Sequence, residues 1–416
     1  MRILLVGAGG VGSAVAAVAA RRDFFEHLVV ADYDAERAER AAASGGERFS
    51  AASIDASDEA AVGSLIDAAR CDVVLNATDP RFVMPVFRAA LEAGAGYLDM
   101  AMSLSTPHPD RPYEQTGVKL GDEQFELEDE WRQRDQLALV GIGVEPGLSD
   151  VFARYAADQL FSEVHDVGVR DGSDLVVDGY DFAPTFSIWT TIEECLNPPV
   201  VWEAERGWFT TEPFSEPETF DFPEGIGPVE CVNVEHEEVL LIPRWVDCRR
   251  VTFKYGLGEE FIDVLKTLRK LGLDSTQPIE VRGVEVAPPD VVAAALPDPA
   301  TLGNRMRGLT CAGTFIAGHR HRWAAPTDVP LPRPRQRARH AGVGAPGGRP
   351  ADRAESGSCA RAARDGEWYG VGVLGPEAFP PGRSSTCSAS TARRTGSRIV
   401  RFPDVRRPLS SSDARA

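Results

Sequence analysis

The chain opens MRILLVGAGGVGSAVAAVAARR (Met1–Arg22), and the fold turns on how this stretch is read. Ile3 to Val6 form a short apolar run suited to a buried strand. Gly7, Gly9 and Gly12 follow as G-x-G-x-x-G, and Ser13 to Ala20 suit a helix. In such a turn the first glycine allows the tight bend, the second lets backbone approach a pyrophosphate, and the third lets helix pack on strand. The helix N-terminus then offers N–H donors to phosphate. The motif alone also fits a bare glycine turn, and its context separates the two readings. HLVVADYD (His27–Asp34) reads as a second strand, and Asp32 ends it 20 residues after Gly12, where an acid binds the adenosine ribose hydroxyls. Gly7, Gly9, Gly10, Val11, Gly12 and Asp32 are therefore the expected dinucleotide-binding residues.

Strand and helix patterns keep alternating. ERFSAASID leads to Asp55, DEAAVGSLIDAAR reads as a helix, CDVVLNATD as a strand, RFVMPVFRAALEAG as a helix, and AGYLDMA and LALVGIG as strands. This order predicts an α/β fold, an N-terminal Rossmann unit with a doubly wound parallel sheet over residues 1–143. Ligands in such a sheet lie at the carboxyl ends of the strands. Asp55, Asn76, Ala77, Thr78 and Asp99 stand at such ends, although Asn76 and Asp99 are equally ordinary turn residues.

After Gly143 the pattern changes. Pro146 and Gly147 precede the amphipathic GLSDVFARYAADQL. The stretches VHDVGVRDG, VECVNVEHEEVLLIPRW, RRVTFKYGLG and TCAGTFIAGH look like strands, and EEFIDVLKTLRKLG like a helix. An α+β domain with a mostly antiparallel sheet is expected over residues 144–318. His236 sits among Glu235, Glu237 and Glu238, as a group for proton transfer or as a satisfied surface histidine. Arg244 suits a bidentate grip on a substrate carboxylate or a surface ion pair. No metal-ligand spacing and no G-x-S-x-G occur, so no metal is expected. Hydride transfer needs neither, because a nicotinamide carries that chemistry.

Composition narrows the class. The 416 residues carry a net charge of −19, but from Gly318 onward the chain holds 18 Arg against 8 acidic residues. The body is thus strongly acidic, which argues against nucleic acid or an anionic membrane as partner. Seven cysteines without a C-x-x-C fit free thiols in a reducing cytoplasm. The first 20 residues imitate a signal peptide, but the glycines interrupt the apolar run, and a cytoplasmic protein is expected.

Together LLVGAGGVG, DVVLNAT, AGYLDMA, GVEPGLSD, FSIWTTIEECLNP and EHEEVLLIPR resemble the saccharopine dehydrogenase family, in its glutamate-forming, reductase-type branch with lysine 6-dehydrogenase and carboxynorspermidine dehydrogenase. The resemblance implies NAD(P)-linked oxidation or reduction at a C–N bond of an amino acid or its adduct, and a homodimer is expected. It implies catalytic roles for Asp99 and His236, and substrate contacts from Glu145, Ser187, Thr190 and Arg244. Asp32 and Tyr33 stand where NADP users of this branch carry an Arg, so NAD is the expected cofactor, with NADP possible. The alternative is a Rossmann-type dinucleotide sensor that regulates a partner without turnover.

Residues 319–416 break the pattern. HRHRWAAPTDVPLPRPRQRARHAGVGAPGGRP lacks both periodicities and is broken by Pro and Gly. DGEWYGVGVLGPEAFPP (residues 365–381) is an island that resembles the family's last motif, and an Arg/Ser-rich stretch follows it. An island between alien stretches suggests two reading-frame disturbances in a GC-rich gene. A disordered basic tail that binds something acidic has the same composition. Val371–Pro381 is expected to dock on the Rossmann unit, and His319–Arg364 and Gly382–Ala416 to form no packed structure.

Overall fold

The structure is a computed structural model that describes residues 1–321 and 370–379. Six strands alternate with helices from the start: β1 (Arg2–Val6), α1 (Gly10–Ala19), β2 (His27–Asp32), α2 (Ala35–Ala42), β3 (Phe49–Ser53), α3 (Glu59–Ala69), β4 (Val73–Asn76), α4 (Val83–Ala93), β5 (Gly96–Asp99), α5 (Asp122–Glu126), α6 (Glu128–Gln133) and β6 (Leu137–Leu139). The strands are nearly continuous apolar runs because helices cover both faces of the sheet. Asp34 and Asp58 start α2 and α3 by accepting backbone N–H bonds from the first turn.

The second unit runs α7 (Leu148–Gln159), β7 (Phe161–Ser173), β8 (Val176–Val177), α8 (Ile188–Leu196), β9 (Val200–Glu203), β10 (Gly207–Thr210), β11 (Glu218–Phe222), β12 (Gly227–Asn233), α9 (Glu238–Trp245), β13 (Cys248–Gly256), α10 (Glu259–Lys270), β14 (Ile279–Val281), β15 (Val284–Val286), α11 (Pro288–Ala295), β16 (Met306–Arg307) and β17 (Thr310–Arg320). The strand β18 (Gly372–Leu374) and a 3-10 turn (Pro376–Ala378) end the described chain. The first sheet is entirely parallel, in the order β18-β6-β5-β4-β1-β2-β3. The second is antiparallel except where β13 runs parallel to β7.

One apolar cluster joins the two units. It contains Leu4, Val74, Phe87 and Trp131 from the first, Val169, Val251 and Phe253 from the second, and Ala153, Ala156 and Leu240 to Ile242 from α7 and α9. Among the described residues no helix is long and apolar enough to cross a membrane.

Two expectations are corrected. VECVNVEHEEVLLIPRW is not one strand: Val229–Asn233 lie in β12, but Glu238–Trp245 form helix α9. A short apolar run carries no periodicity that separates strand from helix. Pro243 inside α9 removes the N–H that Val239 would accept, and the Trp208 indole N–H bonds to that carbonyl instead, at 2.9 Å. The strand β17 also passes the expected boundary at 318, since Arg320 still pairs with Phe161. The island does add to the Rossmann sheet, with Val373 beside Ala138. Of the stretches expected to stay unpacked, His319–Arg364 and Gly382–Ala416, the first is corrected at its start, where His319 and Arg320 pair in β17; Arg322–Arg364 and Gly382–Ala416 lie outside the described residues.

Candidate active site

The glycine turn divides by role. A Cβ on Gly12 would fall 1.9 Å from the Gly7 carbonyl oxygen, and one on Gly7, at φ +94°, would fall 2.6 Å from that of Ala77. These two glycines let β1, α1 and the loop after β4 close on one another. A Cβ on Gly9 or Gly10 would meet nothing within 4 Å. That open space lies at the N-terminus of α1, where a pyrophosphate fits. Val11 is half-buried behind it. Asp32 is buried, with Oδ2 accepting from Ala8 N–H at 2.7 Å and Oδ1 from Asp34 N–H at 3.0 Å. The acid is thus fixed to the glycine turn. Arg37 lies 3.6 Å from it, over the exposed ring of Tyr33. Asp55 is exposed at the end of β3 and accepts from the Ser57 hydroxyl and N–H. The cradle fits a dinucleotide.

Two strand-end residues prove internal. Asn76 donates to the Tyr97 hydroxyl at 3.0 Å and accepts from Thr78 N–H and Oγ1, so it shapes the Ala77–Thr78 loop. Asp99 is 1 % exposed. Its oxygens accept from Gly141 N–H and the Gln124 amide, each at 2.8 Å. Burial pushes its carboxyl up to about 7, against those hydrogen bonds. Asp99 therefore ties β5, β6 and α5 together beneath the site.

The loop after β6 brings the chemistry. Gly143 bridges to Gly147, the Glu145–Pro146 peptide is cis, and Glu145 is half-buried. The Gly147 N–H donates to Asp150 at the start of α7, and the Ser149 hydroxyl donates to Glu238 Oε1 at 2.9 Å. Glu238 Oε2 holds Nδ1 of His236, and Glu237 lies 3.3 Å from the same nitrogen. The imidazole lies flat on Phe253, with centroids 3.8 Å apart. Burial works against its charge, but Glu238 and Glu237 outweigh burial and raise its pKa well above 6.5. Among the described residues Nε2 has no hydrogen bond, so it is the ring atom free to move a proton. The structure thus buries His236 with partners, which removes the surface reading.

The second unit meets the Rossmann loops at α8. Ser187 caps that helix, accepting from Thr190 N–H at 3.4 Å, while its carbonyl accepts from Thr191. Arg81, in the loop after β4, lies 3.9 Å over the Trp189 ring and pairs with Asp79 at 2.8 Å. Burial, together with Asp79, pushes Glu193 up to about 7. Glu235 Oε2 accepts from Ser105 and Asn197, bridging the two units, and burial pushes it too up to about 7.

Arg244 is not brought to His236. It lies in the last turn of α9, six residues or about 9 Å of helix rise beyond Glu238, whereas His236 precedes that helix. Its guanidinium lies 3.8 Å over Phe125, with Nε donating to the Leu240 carbonyl. Arg81, Glu193 and Ser149 were missed by sequence reasoning, since only the fold brings them to the site, and Glu238 was read only as a neighbour of His236.

Although no metal spacing appears in the sequence, two groups place three ligating atoms within 4.8 Å of one another. One is His236, Glu237 and Glu238. The other, Glu163, His165 and His319, faces one side of the β7–β17 ladder, where no linear motif forms.

A glycine-turn Rossmann unit fused to an antiparallel α+β domain, with a histidine–carboxylate dyad between them, defines an NAD(P)-binding oxidoreductase. This chain belongs to the saccharopine dehydrogenase family. Residues 3–139 match the saccharopine dehydrogenase NADP binding domain and residues 143–317 the saccharopine dehydrogenase C-terminal domain. It is 29% identical over 329 residues to carboxynorspermidine synthase of Vibrio cholerae, covering 76% of this chain and 78% of that protein. It is 28% identical over 325 residues to carboxyaminopropylagmatine dehydrogenase of Synechocystis, covering 76% and 77%. Its fold is similar to saccharopine dehydrogenase (L-Glu forming) from Saccharomyces cerevisiae, at a TM-score of 0.61 and 14% identity over 96% of this chain and 98% of that one. It is also similar to the homospermidine synthase of Legionella pneumophila solved with NAD, at 0.63 and 15% over 96% and 90%.

Proposed function

We propose that this enzyme transfers a hydride between NAD(P) and the C–N bond of a carboxylated polyamine adduct of the carboxynorspermidine type. The observation that carries the reading is the set of carboxyls where the units meet. Glu193 and Glu235 are pushed up to about 7 by burial, and Glu237 is raised by burial as well. An ammonium group placed beside such carboxyls lets them ionise, so the wall favours a cationic substrate. Arg81, on the rim beside Trp189, suits the carboxyl end of the same molecule. The names of the two curated relatives describe this combination of amine and carboxyl.

The nicotinamide supplies or accepts the hydride when bound. The protein's own part is to position and to move a proton. Glu238 fixes the His236 ring through Nδ1, and Ser149 fixes Glu238. The imidazolium then offers the proton on Nε2 to the substrate nitrogen as that nitrogen becomes an amine. Phe253 covers one ring face and keeps water from it.

The test is NADH and NADPH absorbance with lysine, saccharopine, carboxynorspermidine and carboxyaminopropylagmatine. Turnover of a polyamine adduct, abolished in His236→Gln, is expected. Turnover of saccharopine or lysine alone would refute the substrate class. Dinucleotide binding without any turnover would return the sensor reading.

A further inference from the structure

The island is held by apolar packing and strand pairing. The Val373 and Phe379 side chains are buried, and the Val140 N–H donates to the Leu374 carbonyl at 3.0 Å. None of this accounts for Glu377. It is 0 % exposed, and neither of its carboxyl oxygens has a hydrogen-bond partner among the described residues. Arg154 reaches only its backbone carbonyl, at 2.8 Å, and is itself paired with Asp158. Glycine at 375 makes room for the carboxyl, since a Cβ there would fall 2.6 Å from Glu377 Oε2. The carboxyl beside Glu377 is that of Asp150, which interacts with it side chain to side chain where α7 packs on the 3-10 turn; it too is 0 % exposed, and its Oδ1 lacks a donor while Oδ2 accepts from Gly147 N–H. Two buried carboxylates without a cation cannot both ionise cheaply, and one proton between them removes the repulsion.

We infer that Glu377 is a positioning residue: its carboxyl shares a proton with that of Asp150, and this contact fixes the Gly147 turn, Ser149, Glu238 and so the His236 ring. The inference rests on the reading of His236 as the proton carrier. The charged groups that face the pair are Glu238 from α9 and Arg154 from α7, with Arg244 further along α9. Burial, above all, holds Glu377 at about 7 and Asp150 well above its usual value, and Glu238 adds to both. Each carboxyl therefore binds more protons with the island docked than with it released. Docking is strongest at low pH and weakens as pH rises through the neutral range.

The test uses the full chain and two readouts. Hydrogen exchange of the Gly372 and Leu374 amides, expressed as protection over the intrinsic rate, is followed from pH 5 to 9. Wild-type protection is expected to fall about tenfold per pH unit for each proton the docked pair still holds, from the ordinary carboxylate range up to the pair's midpoint, and to level off above it. Glu377→Gln keeps the shape and supplies an amide donor to Asp150, so its protection should stay level. Asp150→Asn provides the same check from the other side. The second readout is the His236 ring by NMR, whose midpoint should track island release in wild type but not in Glu377→Gln. Parallel protection profiles in wild type and Glu377→Gln would overturn the inference, as would an island unprotected at every pH. Full activity of His236→Gln would instead overturn the functional reading and leave the exchange difference standing.

Discussion

The glycine turn offers a comparison in which one added methyl group acts in two different ways. Gly12→Ala places its Cβ 1.9 Å from the Gly7 carbonyl oxygen, a contact that requires backbone to move by more than 1 Å. Overpacking of this kind costs about 1–3 kcal/mol. The apo protein should then melt roughly 2–4 °C lower for each kcal/mol lost, as in a domain of 150–250 residues. Gly9→Ala adds the same methyl into open space, at an extended φ of −66° and ψ of −157° that alanine adopts. Its apo melting temperature should match wild type. The methyl occupies the space assigned to the pyrophosphate, and a tenfold loss of NAD affinity, about 1.4 kcal/mol, is the minimum expected. At NAD of about 100 Kd, wild type gains about 2.7 kcal/mol from binding and Gly9→Ala about half of that. Thermal shift with and without NAD measures both effects. Full NAD stabilisation in Gly9→Ala, or an unchanged apo melting temperature in Gly12→Ala, would refute the division of roles.

Other outcomes follow from the same geometry. NAD should bind more tightly than NADP, because Asp32 is fixed at the end of β2 beside the glycine turn, where its charge would repel a 2′-phosphate; fluorescence titration showing tighter NADP would reverse this. Arg81→Lys should raise KM for the carboxylated substrate by about 1.5–3 kcal/mol in kcat/KM, while Arg244→Lys should leave KM alone; steady-state kinetics with the reverse ranking would move the substrate carboxyl to α9. His236 has a folded pKa raised above its ordinary 6.5, so its stabilising contribution is whole below about 6.5 and is lost as pH rises through the folded value. The melting-temperature gap between wild type and His236→Gln should therefore narrow from pH 6 to 9, and a widening gap would contradict the dyad.

How much of this was legible in the sequence depends on how local each signal is. The Rossmann strands carry their own evidence: an apolar run, a glycine spacing and an acid 20 residues on, all within one βαβ unit. Helix α9 was misread because VLLIP is too short to show a period, and what lets a helix keep Pro243 is Trp208, more than thirty residues earlier. The site follows the same rule. Gly9 and Asp32 are marked by spacing, whereas Arg81 meets Trp189, and Ser149 meets Glu238, only after two units pack. Asn76 and Asp99 show the opposite limit, because a polar residue at a strand end looks the same whether it faces a ligand or, as here, its own fold.

Glu377 is the far end of that range. Nothing near it in sequence suggests a partner, and the stretch before it reads as foreign to the fold. Yet it lies fully buried against Asp150, more than 200 residues earlier, at the head of the helix whose Ser149 holds the Glu238–His236 dyad. A segment that contributed only Val373 and Phe379 would close the edge of a sheet and leave the site untouched. A buried carboxyl in the same segment makes docking depend on a proton, and it joins the last described turn of the chain to the chemistry set up by the first.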